Sequence, residues 1–402
     1  MLDVRHWDAI IIGGGIIGLS LARELNKRGL RVLVVEKGEP GREASWAAGG
    51  MLVDSPLETK LPLRDLATAS ANMYPEFVRE LEDESSVKID LRDQGAIVFV
   101  DPAHLRALSL HLPGAASGAE VEPLYALPEP LDKLEPAAKL SGKLSASTPL
   151  FLKERSVDPR HLTIAAIAAA KHRGIDFSSG DHVLAVEIAN GKAVGVRTNK
   201  TRFDGGIVVN CAGAWASQIE VHASGVTGAS SAQTVDDSER FVPPRFASAS
   251  FVPAPTRPVK GQMLCVAMPQ KELVRHVIRT PDVYLIPRSD GRLLIGATQE
   301  EAGFDKQTVP DTIQKLRQAA LGLVPKLAEA RFLDAWAGLR PGTPDDLPIL
   351  GTTETAGYFV ATGHFRDGIL LTPITARLMG QVIAGETPEF DLRAFAAGRF
   401  RH

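Results

Sequence analysis

A glycine-rich turn between two apolar segments constrains the fold of this chain more than any other feature. The motif GGGIIG at residues 13–18 directly follows the apolar run 9–12. Apolar residues then recur every four positions from Ile17 to Leu25, Gly29 ends this segment, and a second apolar run covers 32–35. This succession predicts one β-α-β unit.

The three motif glycines and the acid after the second strand have distinct physical roles. Gly13 permits the tight turn, Gly15 lets a pyrophosphate approach the backbone, and Gly18 lets the helix pack closely on the strand. The N-terminus of the helix favours phosphates. Glu36 lies 18 residues after Gly18, where its carboxylate can accept both ribose hydroxyls and would repel a 2′-phosphate. The pattern predicts a dinucleotide site, disfavours NADP, and does not separate FAD from NAD.

A run of small residues follows this unit, with the sequence ASWAAGG at 44–50. It is too poor in large apolar side chains for a core helix. Small side chains let the backbone close on a flat, bulky ligand.

The segments GGGIIG, Glu36 and SWAAGGM at 45–51 resemble the amino-acid oxidases of the D-amino-acid oxidase superfamily. Among these they are most similar to the glycine oxidases of the thiamine pathway. The resemblance covers nearly the whole chain and implies non-covalently bound FAD. It also implies an α/β fold with a discontinuous, Rossmann-like FAD-binding domain (1–85, 150–220 and 335–402). Residues 86–149 and 221–334 would then form an α+β substrate domain on an antiparallel sheet.

The resemblance implies FAD contacts in six segments, which include the strand HVLAV, the AGAW turn and the loop GHFRDGIL at 363–370. In that loop, the sequence itself predicts a strand that ends in a glycine-rich turn, with Gly368 opening a helix. The implied contact residues are Gly13, Gly15, Ile16, Ile17, Gly18, Glu36, Lys37, Ala44, Ser45, Gly49, Gly50, Met51, Val183, Gly213, His364, Phe365, Asp367, Gly368, Ile369 and Leu370.

Two arginines are the candidates for substrate binding. A guanidinium offers a planar carboxylate two parallel N–H donors, and the resemblance assigns this role to Arg340 in WAGLRP, with Arg366 close by. The alternative for each is a surface or helix-capping arginine. Tyr284 matches an active-site tyrosine of the family, or is simply packed on its strand. Asp282 stands where some glycine oxidases carry histidine.

The reaction that the resemblance implies needs no general base, so no catalytic residue is nominated. A hydride leaves the Cα of the neutral amine for flavin N5, the imine hydrolyses, and O₂ is reduced to H₂O₂. Glycine would give glyoxylate and ammonia. The alternatives are a sarcosine oxidase with covalent flavin and a D-amino-acid dehydrogenase with another electron acceptor.

Composition and charge disfavour several other classes of function and partner. A formal net charge of −3 gives no case for nucleic acid or an anionic membrane surface. No apolar run approaches the ~18 residues needed to cross a bilayer, and no signal peptide is apparent, so the prediction is cytoplasmic. Cys211 and Cys265 are predicted to be buried thiols, without a disulfide or metal site. The family commonly forms tetramers, which implies a homo-oligomer.

Local patterns predict several further elements. These are a helix over 63–82, a helix that starts at Asp158-Pro159, and a hairpin turn at Asn190-Gly191. Four strands between 259 and 296 predict an antiparallel sheet. Residues 221–256 look like an insertion, predicted to be a flexible surface loop, with a lid or an interface segment as the alternative.

Overall fold

The computed structural model describes residues 6–101, 103, 105, 125–140, 142–223 and 254–401. Strands and helices alternate in the first part of this region. The strands are β1 (Trp7–Ile12), β2 (Val32–Glu36), β3 (Met51–Leu52), β4 (Leu91–Arg92), β5 (Ala96–Val100), β6 (Thr148–Leu152), β7 (Arg155–Val157), β8 (Asp176–Ser179), β9 (Val183–Ala189), β10 (Lys192–Thr198), β11 (Arg202–Asn210), β12 (Glu220–Ala223), β13 (Arg257–Ala267), β14 (Val277–Arg279), β15 (Tyr284–Pro287), β16 (Arg292–Gly296), β17 (Arg331–Gly342), β18 (Ile349–Thr352) and β19 (Tyr358–Thr362). The α-helices are α1 (Ile16–Lys27), α2 (Ala44–Ala47), α3 (Arg64–Ser85), α4 (Leu131–Leu134), α5 (Pro159–His172), α6 (Pro310–Leu323) and α7 (Thr372–Ile383).

A nine-stranded sheet contains the predicted β-α-β unit. β1 pairs in parallel with β2 on one side and with β11 on the other. The strand order is β12-β9-β10-β11-β1-β2-β8, and β19 joins β11 in parallel and carries β18. All five residues of β2 are buried, as expected for a parallel sheet covered on both faces.

Helices α1, α3, α5 and α7 pack together over this sheet. α1 contacts α7, and α3 contacts α5. α5 begins where the sequence predicted, because the Asp158 carboxylate accepts hydrogen bonds from the backbone N–H of Arg160 (2.9 Å) and His161 (3.4 Å). The predicted helix at 63–82 is confirmed as α3.

The second large sheet has seven strands in the order β17-β13-β16-β15-β14-β5-β6. The four strands predicted between 259 and 296 are confirmed as β13 to β16, and their mutual pairings are antiparallel. β14 also pairs with β5, and this pair is parallel. β17 pairs with β13 along its whole length, so residues 331–342 form the end strand of this sheet.

The strand pairing bears on two of the predictions. The proposed division into 1–85, 150–220 and 335–402 against 86–149 and 221–334 remains a prediction, although β6 and β17 cross its limits. Most of the predicted insertion at 221–256 lies outside the described residues, apart from residues 221–223 and 254–256. Within the described part of the chain, no helix is long and apolar enough to cross a membrane.

Candidate active site

A cavity of about 750 Å³ is lined by residues from both large sheets. Its walls include the turn after β1, the segment around α2, and the loop between β19 and α7. Strands β13, β15, β16 and β17 complete it. Every site residue predicted from the sequence lines this cavity except Gly18 and Leu370.

The turn after β1 is shaped by close backbone contacts. Gly13 has a φ of +104°, and a Cβ at this position would lie 2.6 Å from the carbonyl oxygen of Cys211. Gly18 lies on the side of α1 that faces β1, where a Cβ would lie 2.1 Å from the carbonyl oxygen of Gly13. Its place outside the cavity therefore agrees with a packing role.

The N-terminus of α1 opens towards this cavity. The first hydrogen bond of the helix runs from Leu19 N to Gly15 O (2.9 Å), so earlier N–H groups have no carbonyl partner within the helix. The Ser45 hydroxyl accepts from Ile16 N at 2.9 Å. Ile17 also lines the cavity. This end of the helix is suited to the pyrophosphate of FAD.

Glu36 is buried at the end of β2 and its carboxylate is held by backbone donors. Gly14 N donates to Oε2 (2.8 Å) and Gly38 N donates to Oε1 (2.9 Å). Each oxygen keeps a second lone pair. These lone pairs suit the two hydroxyls of the adenosine ribose.

An aromatic cluster that was not predicted lies beside this end of the cavity. The Lys37 ammonium lies 3.4 Å from the centroid of the Trp215 ring, and Trp215 stacks on Phe304 at 5.3 Å. Trp215 belongs to the AGAW motif, so the motif could have indicated it. Phe304 follows β16 by several residues and carries no sequence signal.

The loop between β19 and α7 differs from the prediction at one point. The helix begins at Thr372, not at Gly368, and a turn closed by Leu371 N and Asp367 O (2.8 Å) precedes it. Pro373 explains the difference, because proline has no N–H and is favoured in the first turn of a helix.

Helix α3 fixes the carbonyl groups of this turn. The Tyr74 hydroxyl donates to Ile369 O, and the Ser70 hydroxyl donates to Leu370 O at 2.6 Å. Tyr74 and Ser70 are fully buried. Leu370, which was predicted to contact FAD, is buried beside α3 and is not among the residues that line the cavity.

Two titratable side chains in this loop have strongly shifted pKa values. Burial lowers the pKa of His364 to about 3, so its imidazole is neutral at pH 7, and its Nε2 lies 3.1 Å from the Thr375 hydroxyl. Burial raises the pKa of Asp367 to about 6, against the opposing effects of Arg366 and Lys60.

The three predicted substrate residues come together at one wall of the cavity. Arg340 donates through Nη1 to Thr298 O (3.1 Å) and Lys260 O (3.4 Å). Its guanidinium also lies against Gly261, where a Cβ would be 2.3 Å from Nη1. Burial lowers the Arg340 pKa and raises that of Tyr284, and the two side chains interact electrostatically.

Arg366 completes this group from the neighbouring loop and acts electrostatically on both Tyr284 and Arg340. Among the described residues, neither arginine forms an ion pair with a carboxylate. Two cations and a phenol that share a cavity wall have the chemistry to bind an anionic group. The residues that the structure describes contain no group of His, Cys, Asp and Glu side chains arranged to hold a metal ion.

Comparison with known proteins agrees with the family resemblance seen in the sequence. The family described as "DAO: FAD dependent oxidoreductase" matches residues 8–382. A glycine oxidase of Pseudomonas aeruginosa is 31% identical, over 97% of this chain and 98% of its own. The hydrogen cyanide synthase subunit HcnC of the same species is also 31% identical, over 99% and 97%. The crystal structure of glycine oxidase from Geobacillus kaustophilus superposes with a TM-score of 0.81 at 28% identity, covering 99% of this chain and 100% of that one.

Proposed function

Because the chain belongs to the DAO family of FAD-dependent oxidoreductases, we propose that it oxidises glycine or an amine or D-amino acid of similar size. O₂ takes the electrons and is released as H₂O₂. Bound FAD supplies a hydride acceptor at flavin N5. With glycine, the imine product takes up water to give glyoxylate and ammonia, or is passed on to thiamine thiazole synthesis.

The environment of Arg340 carries this proposal. Its Nη1 is anchored on two backbone carbonyls, 3.1 and 3.4 Å away, so the orientation of the guanidinium is set by the protein. The remaining N–H groups are not used by any carboxylate of the described residues. A substrate carboxylate can take them in a bidentate pair.

The other two residues restrict how the substrate lies. Tyr284 contacts Met263, with its hydroxyl 3.7 Å from Sδ, and its ring would meet a Cβ on Gly296 at 2.8 Å. These contacts hold the ring in place beside Arg340, which supports a small substrate. Once the carboxylate is fixed, the Cα–H is oriented without a general base.

The two cysteines support non-covalent FAD over the sarcosine-oxidase alternative. Both are buried and free. Cys265 lies within β13 and is not part of the cavity lining, whereas Cys211 lines it beside Gly13. Burial strongly raises the pKa of the Cys211 thiol, which disfavours the thiolate needed to attack a flavin. Acid precipitation is expected to leave a colourless protein pellet and a yellow supernatant.

The test is peroxide release by the air-equilibrated flavoprotein with glycine, sarcosine and D-alanine. We expect glycine to lead. Arg340→Ala should lower kcat/KM at least about 100-fold, because the bidentate pair contains two charge-assisted hydrogen bonds that contribute ~1.5–3 kcal/mol each. The control is Arg377→Ala, which removes a surface arginine paired with Glu389. Retained turnover in Arg340→Ala would refute the carboxylate role.

A second electron acceptor is worth testing because the relative named as a hydrogen cyanide synthase subunit is as similar as the glycine oxidase. In that case glycine would bleach the flavin in air without accumulation of peroxide, and an artificial dye would restore turnover. If no amine bleaches the flavin, the substrate class is wrong.

A further inference from the structure

A buried arginine lies behind the glycine pair that lines the cavity. Arg288 follows β15 and is only 1% exposed. Its backbone closes the β15–β16 hairpin, since Arg288 N donates to Arg292 O at 2.8 Å. Its Nη2 donates to Gly49 O at 2.6 Å.

The guanidinium of Arg288 has few other hydrogen-bond acceptors. Among the described residues, its Nε and Nη1 atoms have no hydrogen-bond partner. The neighbouring Asp158 carboxylate is used by the N-terminus of α5 and by Arg292 Nη2 at 2.6 Å. Burial lowers the pKa of Arg288 to about 10, so the group is still a cation at pH 7. A buried cation with a single directed bond is costly, and such sites call for an explanation.

The contact with Gly49 determines the direction of the next amide. A trans peptide places its C=O and N–H on opposite sides, so the N–H of Gly50 points away from Arg288. Gly49 and Gly50 line the cavity, whereas Arg288 does not. The carbonyl of Gly50 is held on the protein side by Val157 N at 2.8 Å. The Gly50 N–H is therefore directed towards the cavity.

We propose that Arg288 is a positioning residue, which through the Gly49 carbonyl aims and polarises the Gly50 N–H as a hydrogen-bond donor to the bound flavin. A cation on the carbonyl strengthens the N–H of the same peptide as a donor. Reduction makes the isoalloxazine more electron-rich, so a stronger donor favours the reduced form. Hydrogen bonds to the ring are one of the ways in which a protein sets flavin electronics.

The test compares Arg288→Gln with Arg288→Lys, which are similar in length but differ in charge. The readouts are the flavin midpoint potential, measured by dye equilibration, and the Kd for sulfite, which adds to electron-poor flavins. For Arg288→Gln we expect a potential about 30 mV more negative, equivalent to a tenfold change for a two-electron couple, and sulfite binding about tenfold weaker. Arg288→Lys should lie closer to the wild type.

Arg292→Gln is the matched control, because it removes a cation from the same cluster but not the bond to Gly49. It should keep the wild-type potential. An unchanged potential in Arg288→Gln, or an equal shift in Arg292→Gln, would overturn the proposal. So would the failure of both Arg288 variants to give folded yellow protein, since that outcome indicates a structural role only. No readout uses an amine substrate, so the result is independent of the proposed reaction.

Discussion

Gly18→Ala provides a direct test of how the nucleotide turn is built. Gly18 lies in the first turn of α1, where helix propensity alone would favour alanine by about 1 kcal/mol. The structure opposes this gain, because the new Cβ would lie 2.1 Å from Gly13 O and 3.1 Å from Ile11 Cγ2. Real Cβ atoms almost never come closer than 3.0 Å to another heavy atom, so the turn must shift by nearly an ångström.

Overpacking of this kind costs about 1–3 kcal/mol, and we therefore expect net destabilisation of ~0–2 kcal/mol. Displacement of the turn should also weaken FAD binding at least tenfold, or about 1.4 kcal/mol. The assays are flavin-fluorescence titration of the apoprotein and thermal unfolding of the holoprotein.

The control is Gly322→Ala in α6, where an added Cβ would have no neighbouring atom within 4 Å. This variant should be as stable as the wild type or gain up to ~1 kcal/mol, with unchanged FAD affinity. If Gly18→Ala binds FAD as tightly as Gly322→Ala, close contact between helix and strand is not what requires glycine at position 18.

Two further predictions concern stability. Tyr74→Phe leaves the buried carbonyl of Ile369 without its side-chain donor. The free energy of unfolding in urea should therefore fall by about 1–3 kcal/mol. A decrease no larger than that of a surface substitution would contradict this expectation. Burial disfavours ionisation of Glu84, but hydrogen bonds from Arg23 and Arg173 outweigh it and lower the pKa to about 2 from 4.5. A lowered folded-state pKa stabilises the fold above pH 4.5, and this stabilisation disappears as the pH falls towards 2. The difference in thermal stability between the wild type and Glu84→Gln should therefore shrink across that range. A difference that does not depend on pH would exclude the ion pairs as its cause.

Features set by neighbouring residues in the chain could be predicted from the sequence. The hairpin at Asn190-Gly191 forms as expected, with φ values of 51° and 75°, because this dipeptide tolerates positive φ. The start of α5 and the glycine motif rest on equally local chemistry. The grouping of Arg340, Arg366 and Tyr284 came from the family resemblance, and local pattern alone left each of them with an ordinary structural role.

Features set by distant parts of the chain could not be predicted. The parallel pairing of β14 with β5 joins Val277 to Ala96, and no local pattern encodes it. The carbonyls that orient Arg340 belong to Thr298 and Lys260, on separate segments. Arg288 shows no motif of its own, since its role depends on Gly49, 239 residues away in sequence. The start of α7 at Thr372, by contrast, could have been predicted from the sequence, because Pro373 favours the first turn of a helix.

The two loops that close on the cavity share one physical arrangement. In the loop before α7, Tyr74 and Ser70 tie down the carbonyls of Ile369 and Leu370. In the segment after α2, Arg288 and Val157 do the same for Gly49 and Gly50.

When its carbonyls are bound to groups on the protein side, a loop turns the N–H groups of the same peptides the other way. In the segment after α2, the Gly50 N–H is then a fixed partial positive charge that needs no reorganisation when a bound ring gains electrons. In the loop before α7, Leu371 N instead donates to Asp367 O at 2.8 Å. Selection on the donors behind the loops, and not only on the residues that line the cavity, would then tune how readily the flavin is reduced.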